Sequence, residues 1–493
     1  MLGGVLSGVL GFVVVVVISR GLGASGAGAF LEAVALFTIL SNAAEAGADT
    51  GLVRTVSRFL ATGRVADVRP LLRIALVPVL AVSSLMAVAV LVWADPLSRL
   101  LLHGASADSG ALYMRVLAPF LPFGAAATVL ASGTRGFGPI GPYVLLEDIV
   151  KPGLRLPFVL VAILGSLGAV IIAAGWAVPV GLEFVLGMVI ILRMVASVER
   201  QAGTFEKGGT GTGRAGIAGE FWRFSAPRAA AGIFQIAIVW LDVLLVGALR
   251  NTRDAGIYGA TSRLLVAGSF AVEAIRIAIA PQISGMLARE DRAAARQVYR
   301  VGTWWVMALA WPIYIVVGIF APLLLSLFGS DFVAGSSALE VLAAAMLLGL
   351  ATGNVTTVLL MGGKSSWNLL NTLAALVVNI ALNLVLIPRL GILGAAIAWA
   401  SSIAVNNLAP LVQVKRFLGL DPFGRGFLLV ALSAVGCFGL PGLLVRLTAG
   451  ARLAAFIPYA VVATAAYVAL LHRWRAQLHL GELAVAWRRR LRS

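Results

Sequence analysis

Leu373-Ala374-Ala375-Leu376-Val377-Val378-Asn379-Ile380-Ala381-Leu382-Asn383-Leu384-Val385-Leu386 decides the fold class. The run carries no charge and does not alternate polar with apolar side chains. A strand of a membrane barrel alternates over about ten residues, because successive side chains face lipid and lumen in turn. A continuous apolar run suits an α-helix in lipid, which satisfies its own backbone groups and spans the hydrocarbon with about 20 residues. Val13–Ile18 reads the same way, and comparable Leu/Val/Ala/Ile runs recur along the whole chain. The expectation is an all-α integral membrane protein.

Composition agrees. The 493 residues are 60% hydrophobic and 12% charged, with a mean hydropathy of +0.99. An ordinary soluble domain carries about 25% charged residues. A chain this apolar cannot cover a water-facing surface, so lipid is its solvent. The net charge of +17 would suggest nucleic acid in a soluble protein. Here the basic residues lie between apolar runs, which makes them markers of topology, and no nucleic-acid partner is expected. Cys437 is alone in an apolar run and forms no internal disulfide. His103, His472 and His479 are scattered near helix ends, so no metal or other cofactor is expected.

Apolar periodicity places about fourteen transmembrane helices, at 2–19, 28–52, 73–94, 113–133, 142–165, 169–193, 222–249, 256–282, 300–327, 336–361, 366–387, 392–414, 426–446 and 453–471. Residues 1–196 form a first group of six helices and 197–221 a polar, glycine-rich cytoplasmic linker. Residues 222–416 form a second group of six, 417–472 hold two further helices, and 473–493 form a basic tail. The cluster Gly208-Gly209-Thr210-Gly211-Thr212-Gly213 imitates a phosphate loop, but no strand precedes it and no Lys-Ser/Thr closes it. No basic region precedes Leu2–Ile18, so no removed signal peptide is expected.

Basic residues gather in alternate connections, as in Arg54, Arg58, Arg64 and Arg69, then Arg193 to Arg223, then Arg289 to Arg300, then Lys415 to Arg425. Positive residues stay cytoplasmic, so both termini are expected inside. Trp487-Arg488-Arg489-Arg490 suits an anionic inner leaflet.

The two parts of the chain echo each other at an offset near 228. Gly28-Ala29-Phe30 matches Gly256-Ile257-Tyr258, Glu45-Ala46 matches Glu273-Ala274, and Pro96-Leu97 matches Pro322-Leu323. An offset that preserves topology implies parallel repeats, and repeat interfaces are where transporters bind substrate.

A charge at mid-bilayer costs at least about 2.5 kcal/mol, so those present face a cavity or a partner. Helix 2 carries Glu45 and Asp49, four apart and expected on one face; helix 7 carries Asp242; helix 8 carries Arg263, Glu273 and Arg276. Helix 5 carries Glu147, Asp148, Lys151 and Arg155, which either pair among themselves or serve function. Pro78, Pro119, Pro122, Pro157, Pro179, Pro281, Pro312 and Pro410 are candidate bends. No Ser/His/Asp arrangement, metal-ligand spacing or Asp-x-Asp appears, so an enzyme is not expected.

Several stretches resemble a known family. Ile18-Ser19-Arg20-Gly21-Leu22-Gly23 with the later Gly28-Ala29-Phe30 is similar to the first loop of polysaccharide (O-antigen-type) flippases. Phe224-Ser225-Ala226-Pro227, Asp242–Gly247, Ala255–Tyr258 and Arg263-Leu264 resemble that family's seventh and eighth helices. Asn379, Asn383 and the run Leu386–Ala396 carry the most specific likeness. The resemblance implies the fold of the multidrug/oligosaccharidyl-lipid/polysaccharide exporter superfamily: two pseudo-symmetric six-helix bundles in a V around a central cavity, plus two C-terminal helices. It also implies flipping of an undecaprenyl-diphosphate-linked oligosaccharide from the inner to the outer leaflet of the plasma membrane.

Under that reading Arg20, Arg54, Arg263 and Arg276 are candidate contacts for a diphosphate or anionic sugar, since guanidinium grips phosphate bidentately. Glu45, Asp49, Asp242 and Glu273 are candidate ion-coupling groups, to H+ or Na+, or charge partners of those arginines. Expected partners are lipid-linked oligosaccharide, membrane lipids, and a glycan polymerase and glycosyltransferases, with the chain a monomer. A lipid II flippase, an ion-coupled multidrug exporter and a membrane glycosyltransferase or polymerase are the competing readings. A cationic cargo would call for acidic and aromatic groups, whereas the arginines suit an anionic one.

Overall fold

The computed structural model describes residues 2–102, 106–201, 213–266, 275, 279, 282–287 and 289–478. Every regular element among them is helical. Contacts divide the chain into two compact units, Met1–Gly259 and Ala260–Ser493.

The first unit opens with α1 (Leu2–Glu45), α2 (Ala48–Ala61), α3 (Val68–Val92), α4 (Ala94–Leu101), α5 (Ser106–Leu117) and α6 (Leu121–Thr134). It continues with α7 (Lys151–Leu164), α8 (Ala169–Gln201), α9 (Arg214–Leu249) and most of α10 (Thr252–Val266). The sequence placed a loop between residues 19 and 28 and a helix over 28–52. The break is there but is reduced to Gly23, whose non-helical backbone (φ 67°, ψ 179°) kinks α1 into two helical parts, and a second break follows at Ala46 (φ 49°) and Gly47 (φ 73°). Gly47 allows the left-handed backbone without a Cβ clash. A Cβ there would also strike the Ser225 carbonyl of α9. Local geometry and helix packing thus demand glycine at the same position.

The run 142–165 is also modified. Val144–Val150 is a π-helical turn, and α7 continues from it. Such a turn inserts one residue and rotates the helix beyond it, and it concentrates at functional sites. Of the candidate bends, Pro78, Pro157, Pro179, Pro312 and Pro410 lie inside helices. Pro119 and Pro122 sit in first turns, where a missing N–H costs nothing. Pro281 lies outside the described residues. Leu52, Val56, Phe59, Leu71, Leu130 and Phe221 form a core that joins α2, α3, α6 and α9.

The second unit contains α11 (Arg292–Ile319), α12 (Ser336–Ala351), α13 (Val355–Met361), α14 (Ser365–Leu390) and α15 (Ile392–Leu418). It ends with α16 (Arg425–Ala434), α17 (Leu440–Ala449) and α18 (Leu453–Arg473). α14 and α15 meet at Gly391 (φ 59°), and a Cβ on Gly394 would strike the Leu386 carbonyl. The Leu386–Ala396 run therefore encodes a tight reversal between two spans. The last helices hold to α11 through Tyr467 Oη, which donates to the Ala308 carbonyl at 3.0 Å, and through Arg446, which donates to the Ile319 carbonyl at 2.8 Å. Their outer positions Leu428, Leu432, Leu444, Leu447, Val461 and Val462 are exposed, as lipid-facing residues should be.

Eleven helical stretches of the described residues are long and apolar enough to cross a membrane. The count of fourteen is not reproduced, for three reasons. The first two spans run together over Leu6–Ala61, the stretch 141–164 holds four charges, and much of 256–282 lies outside the described residues. The chain is a multi-pass membrane protein. The linker expected over 197–221 is shorter: α8 runs to Gln201 and α9 starts at Arg214, and 202–212 lie outside the described residues, as does the tail beyond residue 478.

Candidate functional site

Two charged assemblies occur in the first unit. One lies inside it. Lys151, at the start of α7, reaches Glu147 on the π-helical turn at 2.6 Å and Glu183 on α8 at 3.1 Å. Glu183 is fully buried. Arg155, one turn on, lies 3.8 Å above the Trp176 ring, and its Nε donates to the Trp176 carbonyl at 3.1 Å. Trp176 in turn packs edge-on against Phe30 and Phe37 of α1. Glu45 is 5% exposed, with Asp49, Glu147 and Lys151 as electrostatic neighbours. One ammonium thus sits among several carboxylates in a low dielectric, where each depends on the others for charge balance.

The second assembly lies at the junction of α2 and α9. The Arg54 guanidinium is 4.0 Å from the centre of the Phe224 ring, and Arg228 is 5.7 Å from the same ring. Next to them, Arg58 and Arg64 both approach Glu220, Arg64 at 3.6 Å, and Arg64 also bridges Asp67 at 2.8 Å. Arg58 and Arg64 are neutralised by carboxylates, whereas Arg54 and Arg228 rest on an aromatic face and are exposed. A guanidinium held flat on a ring keeps its N–H edges for an anion.

The expected site residues are spread over several elements. Arg54 joins the second assembly. Arg20 is exposed on α1, three residues before the Gly23 bend. Glu45 joins the buried assembly, and Asp49 is half-buried on α2. Helical spacing put Glu45 and Asp49 on one face, and this is corrected: the break at Ala46-Gly47 separates them, so no continuous helix sets their relation. Asp242 is 1% exposed on α9 and accepts a 2.9 Å hydrogen bond from Tyr258. Arg263 is half-buried on α10, in the second unit. Glu273 and Arg276 lie outside the described residues.

Two buried acids escaped the sequence reading. Glu183 is the acidic residue in Ala177-Val178-Pro179-Val180-Gly181-Leu182-Glu183, and Glu32 comes directly after Phe30-Leu31 in another apolar run. Both are fully buried. A single acid inside an apolar run was the available signal in both. Asp148 was expected on the side of Arg155. Its carboxylate, on the π-helical turn, lies against Gly3 of α1.

The second unit offers a different polar interior. Asn383 Nδ2 donates to Asn379 Oδ1 at 3.1 Å, and Asn371 and Gln413 exchange hydrogen bonds of 2.7 and 2.9 Å.

Known proteins resemble the chain in both sequence and fold. A solved structure described as lipid II flippase MurJ in an inward closed conformation is similar at a TM-score of 0.71 and 12% identity, over 97% of this chain and 98% of that one. An inward-facing multidrug resistance MATE family transporter of the MOP superfamily gives 0.68 and 16%, over 84% and 95%. At these identities the likeness establishes the shared all-α fold. Among curated sequences, "Probable low-salt glycan biosynthesis flippase Agl15" of Haloferax volcanii is 25% identical over 182 residues, 37% of this chain. The match spans about two fifths (39%) of that relative. The sequence model described as "Polysaccharide biosynthesis protein" matches residues 1–287. That stretch is more than half of the chain and includes both charged assemblies, and on it the protein belongs to the polysaccharide biosynthesis protein family.

Proposed function

We propose that the chain flips a lipid-linked oligosaccharide, carried on undecaprenyl diphosphate, from the inner to the outer leaflet of the plasma membrane for surface polysaccharide assembly. The observation that carries this reading is the exposed Arg54–Phe224–Arg228 group in a protein of this family. A lipid diphosphate keeps its tail in the bilayer while its polar head crosses. Guanidinium edges replace the hydration of that head, and a neighbouring ring suits the apolar face of a sugar. Arg54 and Arg20 are the proposed contacts of the first unit, and Arg263 that of the second; Arg276 belongs to the same proposal. Glu45, Asp49, Asp242 and Glu273 are proposed to couple flipping to H+ or Na+. The chain acts as a transporter rather than an enzyme, with both termini cytoplasmic, and works beside glycosyltransferases and a polymerase that make and use its cargo.

The test is a leaflet assay. The purified protein is reconstituted with fluorescent undecaprenyl-diphosphate oligosaccharides, and their accessibility from one side is monitored. Arg54→Ala should slow movement about 10- to 100-fold, the equivalent of about 1.5–3 kcal/mol for a charged hydrogen bond. Arg54→Lys should fall between, since it keeps the charge and loses the fork. An absence of movement across several glycans, with ion-driven export of a cationic dye, would replace this reading with the multidrug one.

A further inference from the structure

Glu32 has no place in the proposed cargo path or among the coupling carboxylates, yet its surroundings are the most demanding for an acid among the described residues. It is fully buried, and neither carboxylate oxygen has a hydrogen-bond partner. It belongs to a stripe on α1, with Ala24, Gly28 and Leu31, that packs on small residues of α9 and α10. A Cβ on Gly28 would strike the Thr252 carbonyl, one on Gly256 would strike the Ala24 carbonyl, and one on Gly247 would strike the Glu32 carboxylate. Both carboxylate oxygens are closed off from solvent, and Gly247 presents backbone without a side chain to them.

The elements packed on α1 bear charges, several of them engaged elsewhere, while Arg228 of α9 rests on Phe224 and Asp148 lies against Gly3 of α1. On α9, Asp242 accepts from Tyr258, and Arg250 is exposed and paired with Asp254 of α10. Arg115 of α5 pairs with Asp95, and Lys151 of α7 with Glu147 and Glu183. Arg155 is stacked on Trp176, and Arg69 of α3 pairs with Glu199. Among the described residues none forms a hydrogen bond or ion pair with Glu32.

An ionised carboxylate in such a place, without partner or water, is too costly to persist, whereas its neutral form is tolerated. We propose that Glu32 is a proton-binding site that latches α1 to α9. It takes a proton from solvent when the helices close and returns it when they part and the carboxylate is hydrated. Closing is then linked to the uptake of one proton, so the closed form is favoured at low pH and lost as pH rises. Because the latch concerns helix contact alone, it stands independently of the cargo assigned above.

The experiment needs no cargo. Spin labels are placed at the exposed Ser25 and Arg250, beside the reciprocal contact, in full-length protein with Cys437→Ser, in lipid nanodiscs. Electron–electron distances are measured from pH 5 to 9 at fixed sodium, and over a range of sodium at fixed pH. The wild-type ratio of short to long distances should fall about tenfold per pH unit above its midpoint, the slope for one linked proton. Glu32→Gln should hold the short distance at every pH, and Glu32→Asp should keep the slope with a moved midpoint. A wild-type distribution indifferent to pH overturns the proposal, as does a slope that survives in Glu32→Gln. A response to sodium at fixed pH that Glu32→Gln abolishes makes the site a metal-cation site and overturns it equally.

Discussion

Among the described residues, the first unit buries the carboxylates of Glu32, Glu45, Asp67, Glu183 and Asp242, whereas the second buries the amides of Asn371, Asn379 and Asn383 and several hydroxyls, with no buried charge. The two interiors differ in what they require. Paired amides carry donor and acceptor together, as in the two bonds that Asn371 and Gln413 exchange, and such pairing needs no ion from the medium. A buried carboxylate needs a proton, a cation or a basic side chain, and its state depends on the medium. Ion responsiveness therefore concentrates, among the described residues, in the first unit, while the described interior of the second is polar without a buried charge.

The sharpest way to test that difference is Lys151→Met. It leaves Glu147 and the buried Glu183 without their shared cation, and breaking a buried pair costs about 3–5 kcal/mol. Thermal unfolding in detergent should show a large loss, and adding Glu183→Gln should recover part of it. A double variant as unstable as the single would locate the cost elsewhere. Tyr258→Phe comes next: it removes the 2.9 Å donor to the buried Asp242. A hydrogen bond to a charged group is worth about 1.5–3 kcal/mol, and the same unfolding measurement reads its loss.

Asn371→Leu, which removes the exchange with Gln413 between α14 and α15, is the matching probe of the second unit. Interhelical hydrogen bonds in membrane proteins average about 0.6 kcal/mol and reach about 1.7. A loss equal to that of Lys151→Met would break the comparison, because the neutral interior would then be as critical as the charged one. The smallest effect belongs to Arg69→Ala. Its paired contact with Glu199, at 3.0 and 2.8 Å, is solvent-exposed, and such pairs contribute about 0.2–1 kcal/mol. Raising the salt concentration should leave the variant and the parent closer still.

The membrane class and most spans were legible because lipid imposes one rule on every residue of a span, and composition alone reveals it. The i,i+4 pair of Glu147 and Lys151 was legible for the same local reason. The features that were not legible depend on packing or on single dihedrals. Ala46-Gly47 looks like helix interior until α9 is seen pressing on it, and the π-helical turn at Val144–Val150 has no distinct composition. Arg54 was a candidate shared with topology. Its ring partner Phe224 lies 170 positions away, and no periodicity links the two. Glu183 and Glu32 are each a single acid in an apolar run, and their burial depends on the helices packed around them.

The contact of Gly28 with Thr252, returned by Gly256 with Ala24, has the form of an isologous interface, in which two equal surfaces meet about a twofold axis. Were the halves separate and identical, one glycine would face its own copy, and any change would strike both sides of the junction at once. In a single chain the two matched stretches are free to differ. The neighbouring position now holds Glu32 in one half and Ala260 in the other, and Gly247 corresponds to Ser19. A symmetric pair would have brought two acids to the same seam; a fused one can hold a single acid against bare backbone.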